Sequence, residues 1–310
     1  MKKILITEHN SMVSIALRKE LSKKNKVFTI DKKKLDLLNY EQTLRYFKKN
    51  KFDYVYICTP KEGGIYANLK YPAQFIYENL QIQNNCIISC YKSRVKKLLF
   101  LGSSCIYPKD SKSPIKESSL LNGKLEKSSE SYALAKIAGI KMCESFNNQY
   151  GTDFRVAIPT NLYGPNDNFD KLNSHVLAAL IRKVHNAKIN KKNKIIIWGN
   201  GKTKREFLHV YDFAKACSKI MNISKKKYLN LVTKEHQFIN IGYGQDITIN
   251  ELTKLICSVL NYKGKILLDK SKLNGTYRKL LDSSKINSIG WKPKISLKDG
   301  ILSTINSFDK

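Results

Sequence analysis

Apolar residues in the first half of this chain follow two alternating patterns. Short continuous runs, Lys3 to Thr7, Val27 to Ile30 and Tyr54 to Cys58, are separated by stretches over 11–24 and 40–50 in which apolar positions recur every three or four residues. Runs that short, bounded by polar turns, predict strands covered on both faces, and the longer period predicts amphipathic helices. The alternation continues through a long helix near Tyr71 to Tyr91, a strand from Lys96 to Leu101, a helix holding Tyr132, and a strand from Phe154 to Ile158. Such a rhythm predicts an α/β fold built on a doubly wound parallel sheet.

Beyond the segment Pro159 to Pro165 the pattern loosens into shorter elements and polar loops, and a second, smaller C-terminal domain is expected to begin. Two later runs return to the sheet: Val210 to Cys217 has helical spacing, and Phe238 to Gly242 reads as a last strand. The expected division gives residues 1–165, with returns near 208–245, to the sheet, and residues 166–207 and 246–310 to the smaller domain.

Composition narrows the class. With 310 residues and 42% hydrophobic content the chain has enough apolar surface for a sizeable core. No apolar run approaches the roughly 18 residues needed to span a membrane, and the opening residues read as a strand rather than a leader, so a cytoplasmic protein without membrane contact is expected. The seven cysteines form no C-x-x-C pair, and Cys86 and Cys90, one helical turn apart, have no nearby histidine. Six are expected as buried thiols, Cys105 is the exception, and no metal site is expected. A formal charge of +31 favours anionic partners, but the lysines are scattered and form no basic tail. A solvated basic surface is therefore expected, not a nucleic-acid interface.

Two segments carry the candidate chemistry: Gly-Ser-Ser-Cys-Ile-Tyr-Pro from Gly102 to Pro108, and Ser-Tyr-Ala-Leu-Ala-Lys from Ser131 to Lys136. Ser103 would sit at the end of a strand. Tyr132 and Lys136, four apart on a helix, share one face. A nearby cation lowers a phenol pKa from about 10, which lets the tyrosine exchange a proton with a substrate oxygen that the serine orients. The same spacing recurs at Tyr66/Lys70 and Tyr211/Lys215, so spacing alone decides nothing. Place singles out Tyr132, whose helix follows the Ser103 strand and starts from Ser128, Ser129, Glu130 and Ser131, residues suited to a helix N-terminus.

The turn after the first strand reads Glu-His-Asn-Ser-Met-Val-Ser, from Glu8 to Ser14. In nucleotide-binding sheets this turn is rich in glycine, because its backbone approaches a pyrophosphate at a helix N-terminus. Here it has no glycine, and Glu8 adds a negative charge. Two unit charges 4 Å apart repel by about 4 kcal/mol at an effective dielectric of 20, nearly a thousandfold in affinity. From this segment alone an ordinary strand-to-helix turn is the expectation.

The segments Gly102 to Pro108 and Tyr132 to Lys141, with Pro159 to Phe169, Asn173 to Val176, Arg205 to Val210 and Arg278 to Asp282, together resemble the GDP-L-fucose synthases, extended short-chain dehydrogenase/reductases, almost end to end. The resemblance implies a Rossmann-like sheet. It also implies 3,5-epimerisation and NADPH-dependent 4-reduction of GDP-4-keto-6-deoxy-D-mannose. Tyr132 would protonate the C4 oxygen, Ser103 would hydrogen-bond it, and Lys136 would tune the phenol and hold the nicotinamide ribose. Cys105 and His175 would exchange protons at C3 and C5. For the GDP half, the matching residues are Lys183, Trp198, Arg205 and, in place of a family aspartate, Asn274.

The cofactor would lie against His9, Asn10, Ser11, Met12 and Val13 of the turn, Lys32, Asp36 and Leu37 after the second strand, and Leu101, Gly102 and Ser103 after the fourth. Lys136, Pro159, Asn161, Leu162 and His175 would complete its site. Asn10 replaces an arginine of the family, Lys32 retains a base near the 2'-phosphate, and Asp31 suits a free 2'-hydroxyl, so NADP is expected with NAD as the alternative. Other outcomes stay open: an epimerase alone, a nucleotide-sugar binder that has lost its cofactor, or a reductase of another 4-keto nucleotide sugar. A homodimer through the two long helices is a further implication of the resemblance.

Overall fold

A computed structural model of the chain describes residues 1–58, 63–170, 173–271 and 276–308. The first half runs β1 (Lys3–Ile6), α1 (Met12–Leu21), β2 (Lys26–Thr29), α2 (Tyr40–Asn50) and β3 (Tyr54–Ile57). It continues through α3 (Ile65–Lys70), α4 (Pro72–Lys92), β4 (Lys97–Leu101), α5 (Glu130–Tyr150) and β5 (Phe154–Pro159). Next come β6 (Asn161–Tyr163), α6 (Val176–Ile189), β7 (Lys194–Trp198), β8 (Lys204–His209), α7 (Val210–Asn222) and α8 (Lys225–Leu229). The chain closes with β9 (Phe238–Ile241), β10 (Asp246–Thr248), α9 (Ile249–Val259), β11 (Lys265–Asp269), β12 (Arg278–Lys279), α10 (Ser284–Ser288) and α11 (Leu297–Phe308).

Six strands form a parallel sheet in the order β2-β1-β3-β4-β5-β9. The doubly wound parallel sheet expected from the sequence is thus present, with Phe238–Ile241 as its last strand. Its strands bury both faces, and their side chains alternate between two cores. Ile4, Ile6, Leu99 and Leu101 pack with Leu17 of α1 and with Val210 and Phe213 of α7, and Ile286 and Trp291 join them. Leu5, Val55, Leu98 and Phe100 pack with Phe47 of α2, Cys86 of α4 and Ile140 of α5. A third core gathers Tyr163, Leu177, Ile181, Ile195, Phe207, Leu252 and Ile301. Around it β8 pairs with β6, β10 and β12, while β7 pairs with β11.

Local chemistry sets the helix ends. Helix α1 starts one residue after the sequence pattern suggests, since Ser11 is its cap and accepts from the Ser14 N–H at 3.2 Å. It stops at Leu21, because Ser22 to Lys24 offer nothing apolar to bury. Helix α5 starts at Glu130, within the serine-rich segment expected to begin it; Ser129 makes no side-chain cap, the helix continues a 3-10 turn over Lys127–Ser129, and Glu130 lies in the first turn, where the helix dipole favours an acid. Its C-terminus closes on Gly151 at φ 64°, whose N–H donates to the Asn147 carbonyl. Within the pair of long helices, a Cβ at Gly139 would stand 2.5 Å from Phe100, so only glycine lets α5 lie this close to the sheet.

Candidate active site

In the main sheet β1 pairs with β2 on one side and β3 on the other, so the connections leaving β1 and β3 diverge and open a crevice at the strands' C-terminal ends. The parallel register puts Glu8 after β1, Gly102 after β4 and the segment from Asn161 after β5 on this one edge.

At the end of β4 the chain turns within one residue. The Gly102 N–H donates to the Ala157 carbonyl at 2.9 Å, and a Cβ there would meet Ile158 Cδ1 at 2.3 Å. Ser103 then caps a 3-10 turn over Ser104–Ile106, its Oγ accepting from the Cys105 N–H at 3.4 Å and lying 2.8 Å from Cys105 Sγ. Helix α5 packs over this turn. Lys136 is 2% exposed and donates to the Leu101 carbonyl at 2.8 Å. Its Nζ lies 5.7 Å from the centre of the Tyr132 ring, which meets Phe75 edge-on at 6.3 Å. Serine, thiol, phenol and buried ammonium are thereby gathered at one strand end.

The other tyrosine–lysine pairs have ordinary surroundings. Tyr66 and Lys70 sit together on the surface of α3, while Tyr211 carries the Lys19 ammonium over its ring and Lys215 pairs with Asp212. Six cysteines are buried and Cys105 is partly exposed. Burial pushes the Cys86 thiol up to about 12, as expected of a structural residue.

His175 stands at the head of α6, exposed, with no side-chain capping bond. The segment before it is tied toward α3, the Gly64 N–H donating to the Asn173 carbonyl at 3.1 Å. Lys183 and Trp198 are brought together, the ammonium 5.9 Å from the indole centre and donating to the Ile196 carbonyl, with the indole 67% exposed. Burial lowers the Lys183 ammonium from its ordinary range, and Arg182 adds to this. Asn274 lies outside the described residues.

Sequence reasoning gave no role to Lys279, although the run containing it was noted. On β12 it faces Arg205 of β8. Burial lowers its ammonium below the ordinary lysine range; the Cys105 thiol opposes this, Arg205 reinforces it and Glu126 opposes it. Burial also lowers Arg205, with Glu126 acting against the shift. The Lys279 ammonium therefore stands within electrostatic reach of the Cys105 thiol, the Arg205 guanidinium and the Glu126 carboxylate. A lysine in a short strand beside an arginine was the one signal available for finding this group.

On the cofactor side, His9 Nδ1 lies 2.6 Å from the Thr29 hydroxyl, and Met12, Val13 and Leu162 pack partly buried against the first core. Ser14 is buried, and its hydroxyl donates to the Ser11 carbonyl at 2.9 Å, so serine at a glycine position satisfies itself without an outside partner. Asp36 accepts from the Leu38 N–H, and Asn85 donates to the Leu37 and Leu38 carbonyls, fixing the loop after β2. Asn161 donates to the Glu206 carbonyl at 2.9 Å beside Pro159. Crevice, capped helix start and buried lysine fit a dinucleotide; the carboxylate of Glu8 is the one group that does not belong to a phosphate cradle.

The family model described as NAD dependent epimerase/dehydratase matches residues 4–232. The GDP-L-fucose synthase of Escherichia coli (strain K12) is 45% identical over 99% of this chain and 96% of its own. GDP-L-fucose synthase 1 of Arabidopsis thaliana is 47% identical over 99% of this chain and 93% of its own. Among solved structures, a GDP-D-glycero-L-gluco-heptose synthase from Campylobacter jejuni, crystallised in the presence of NADPH, superposes with a TM-score of 0.92 at 37% identity, over 100% of this chain and 98% of its own. Strand order, the serine–thiol turn, the tyrosine–lysine helix and end-to-end similarity agree, and the chain belongs to the GDP-L-fucose synthase group of the NAD dependent epimerase/dehydratase family.

Proposed function

We propose that this protein epimerises and reduces a GDP-linked 4-keto-6-deoxy-hexose, the conversion of GDP-4-keto-6-deoxy-D-mannose to GDP-L-fucose. The observation that carries the reading is the Ser103–Cys105 pair, 2.8 Å apart in one turn beneath the Tyr132 helix. Carbons flanking a ketone hold acidified protons, and inverting such a centre takes a base on one face and an acid on the other. Cys105 and His175 are the candidates for this exchange, with Arg205 and Lys279 supplying positive charge near the thiol. Ser103 would orient the C4 oxygen and Tyr132 protonate it, Lys136 holding the phenol's proton balance. A reduced nicotinamide dinucleotide, NADPH in the Campylobacter relative, would supply the hydride. Lys183, Trp198 and Arg205 would receive the GDP half through charge and a flat apolar face.

Incubation with GDP-4-keto-6-deoxy-D-mannose in heavy water tests the reading. Oxidation of NADPH or NADH, with deuterium entering two ring carbons, is expected. Deuterium without oxidation would leave an epimerase alone, and turnover with neither cofactor would overturn the proposal. A second reading, reduction of another GDP-linked keto sugar, is favoured by the likeness to the heptose synthase, and competition between the two sugar classes separates them.

Two further parts of the proposal concern assembly and place. The outer faces of α4 and α5 leave Tyr77 62% and Leu134 44% exposed, which suits a homodimer packed through these helices. No helix among the described residues is long and apolar enough to cross a membrane. The free cysteines suit a reducing compartment, and we place the protein in the cytoplasm, acting on small nucleotides and not on nucleic acid.

A further inference from the structure

The carboxylate of Glu8 is 12% exposed and has partners on both sides. One oxygen accepts from the His9 N–H at 3.0 Å and lies 3.5 Å from the Asn10 N–H, and the other stands 3.4 Å from Lys32 Nζ. Glu8 thus uses amides of the turn and bridges it to the loop after β2, where the His9–Thr29 contact makes a second tie. In a sheet of this type the residues following β2 face the adenosine ribose of a dinucleotide: a carboxylate there accepts from a free 2'-hydroxyl, and a cation holds a 2'-phosphate. Here that wall carries Asp31, Lys32 and, leaning in from the turn, Glu8. Lys33 and Lys34 follow in the same loop and are exposed.

We propose that Glu8 sets the choice between NADH and NADPH in this chain. It engages the ammonium that would hold a 2'-phosphate and adds a second carboxylate beside Asp31, so the ribose end accepts a diol and holds a dianion less tightly than an unengaged Lys32 would. The pyrophosphate is common to both cofactors, so an effect of Glu8 on it would weaken both alike. An effect through Lys32 falls on NADPH alone. The inference rests on the reading of the crevice as a nicotinamide dinucleotide site.

Titration of the full chain with NADH and with NADPH, followed by calorimetry, tests it. GDP is titrated in parallel as a check on the sugar-nucleotide side. The wild type is expected to bind NADH at least as tightly as NADPH. Glu8→Gln keeps the side chain's size and removes its charge, and should tighten NADPH at least about tenfold with little change for NADH. Lys32→Ala should cost NADPH little in the wild type and much more in the Glu8→Gln background. Equal gains for both cofactors, or no change in either, would overturn the proposal. Failure of every variant to bind either dinucleotide while GDP still binds would overturn the reading of the crevice along with it.

Discussion

At the β4 end of the crevice Gly102 has no room for a methyl group and Lys136 is closed in beneath its helix; at the β1 end Glu8, Asn10 and Ser11 stand where the family has glycine, arginine and glycine. The first end is held from behind. Its backbone is pinned between β5 and α5, with Ser103 and Cys105 held in the turn that leaves β4 and Tyr132 and Lys136 held on the helix packed over that turn. The second end borders solvent, and the side chains at its glycine positions find local partners: Glu8 the turn amides, Ser11 the Ser14 N–H, Ser14 the Ser11 carbonyl. Substitution is structurally easy where hydrogen bonds can be closed within three residues, and difficult where a neighbouring strand occupies the space.

The largest effect expected from testing this contrast is Tyr132→Phe, which removes the proton donor without altering the ring's packing on Phe75. Turnover of the keto-sugar nucleotide should fall by about a thousandfold with GDP binding unchanged, measured by steady-state rates and calorimetry. A fall of less than about tenfold would place the acid elsewhere. Gly102→Ala should destabilise the protein by about 3 kcal/mol in urea unfolding, since the buried Ile158 has to move.

Away from both ends, at the close of β8, His209 caps α7, contacts Ser303 at 3.1 Å and sits opposite Tyr163 of β6. Burial lowers its imidazole from 6.5 to about 4, so as pH falls the unfolded chain takes up this proton first and stability is lost between those two values. By pH 5 the loss relative to pH 7 should be about 2 kcal/mol, and His209→Gln should flatten that part of the profile. The smallest effect belongs to the β1 end: Ser11→Ala removes one cap and should cost about 1 kcal/mol. A cost at Ser11 equal to that at Gly102 would break the contrast.

Much of the site was readable because its placement follows from element order. A strand ending at Leu101 and a helix carrying Tyr132 and Lys136 meet in any parallel sheet of this kind, and the resemblance attached Cys105 to them. Lys279 escaped notice because its one local signal, a lysine next to an arginine, is common in so basic a chain. Its charge comes within electrostatic range of the thiol through the pairing of β12 with β8, which sets it beside Arg205, some 170 residues from Cys105 along the chain. The start of α5 was legible at Glu130, but how it is closed was not: Ser129 makes no side-chain cap, and the preceding 3-10 turn leads into the helix.

By itself the sequence determined the alternation of strands and helices, the parallel sheet and the pair of segments that meet at the end of its fourth strand, because periodicity and short-range spacing are properties of the chain alone. Tertiary structure decided what Glu8 does. A carboxylate in a phosphate turn reads as a simple repulsion until the fold brings Lys32 within 3.4 Å and turns two backbone amides toward it, and those partners come from a neighbouring loop and from backbone direction, neither of which a list of residues contains.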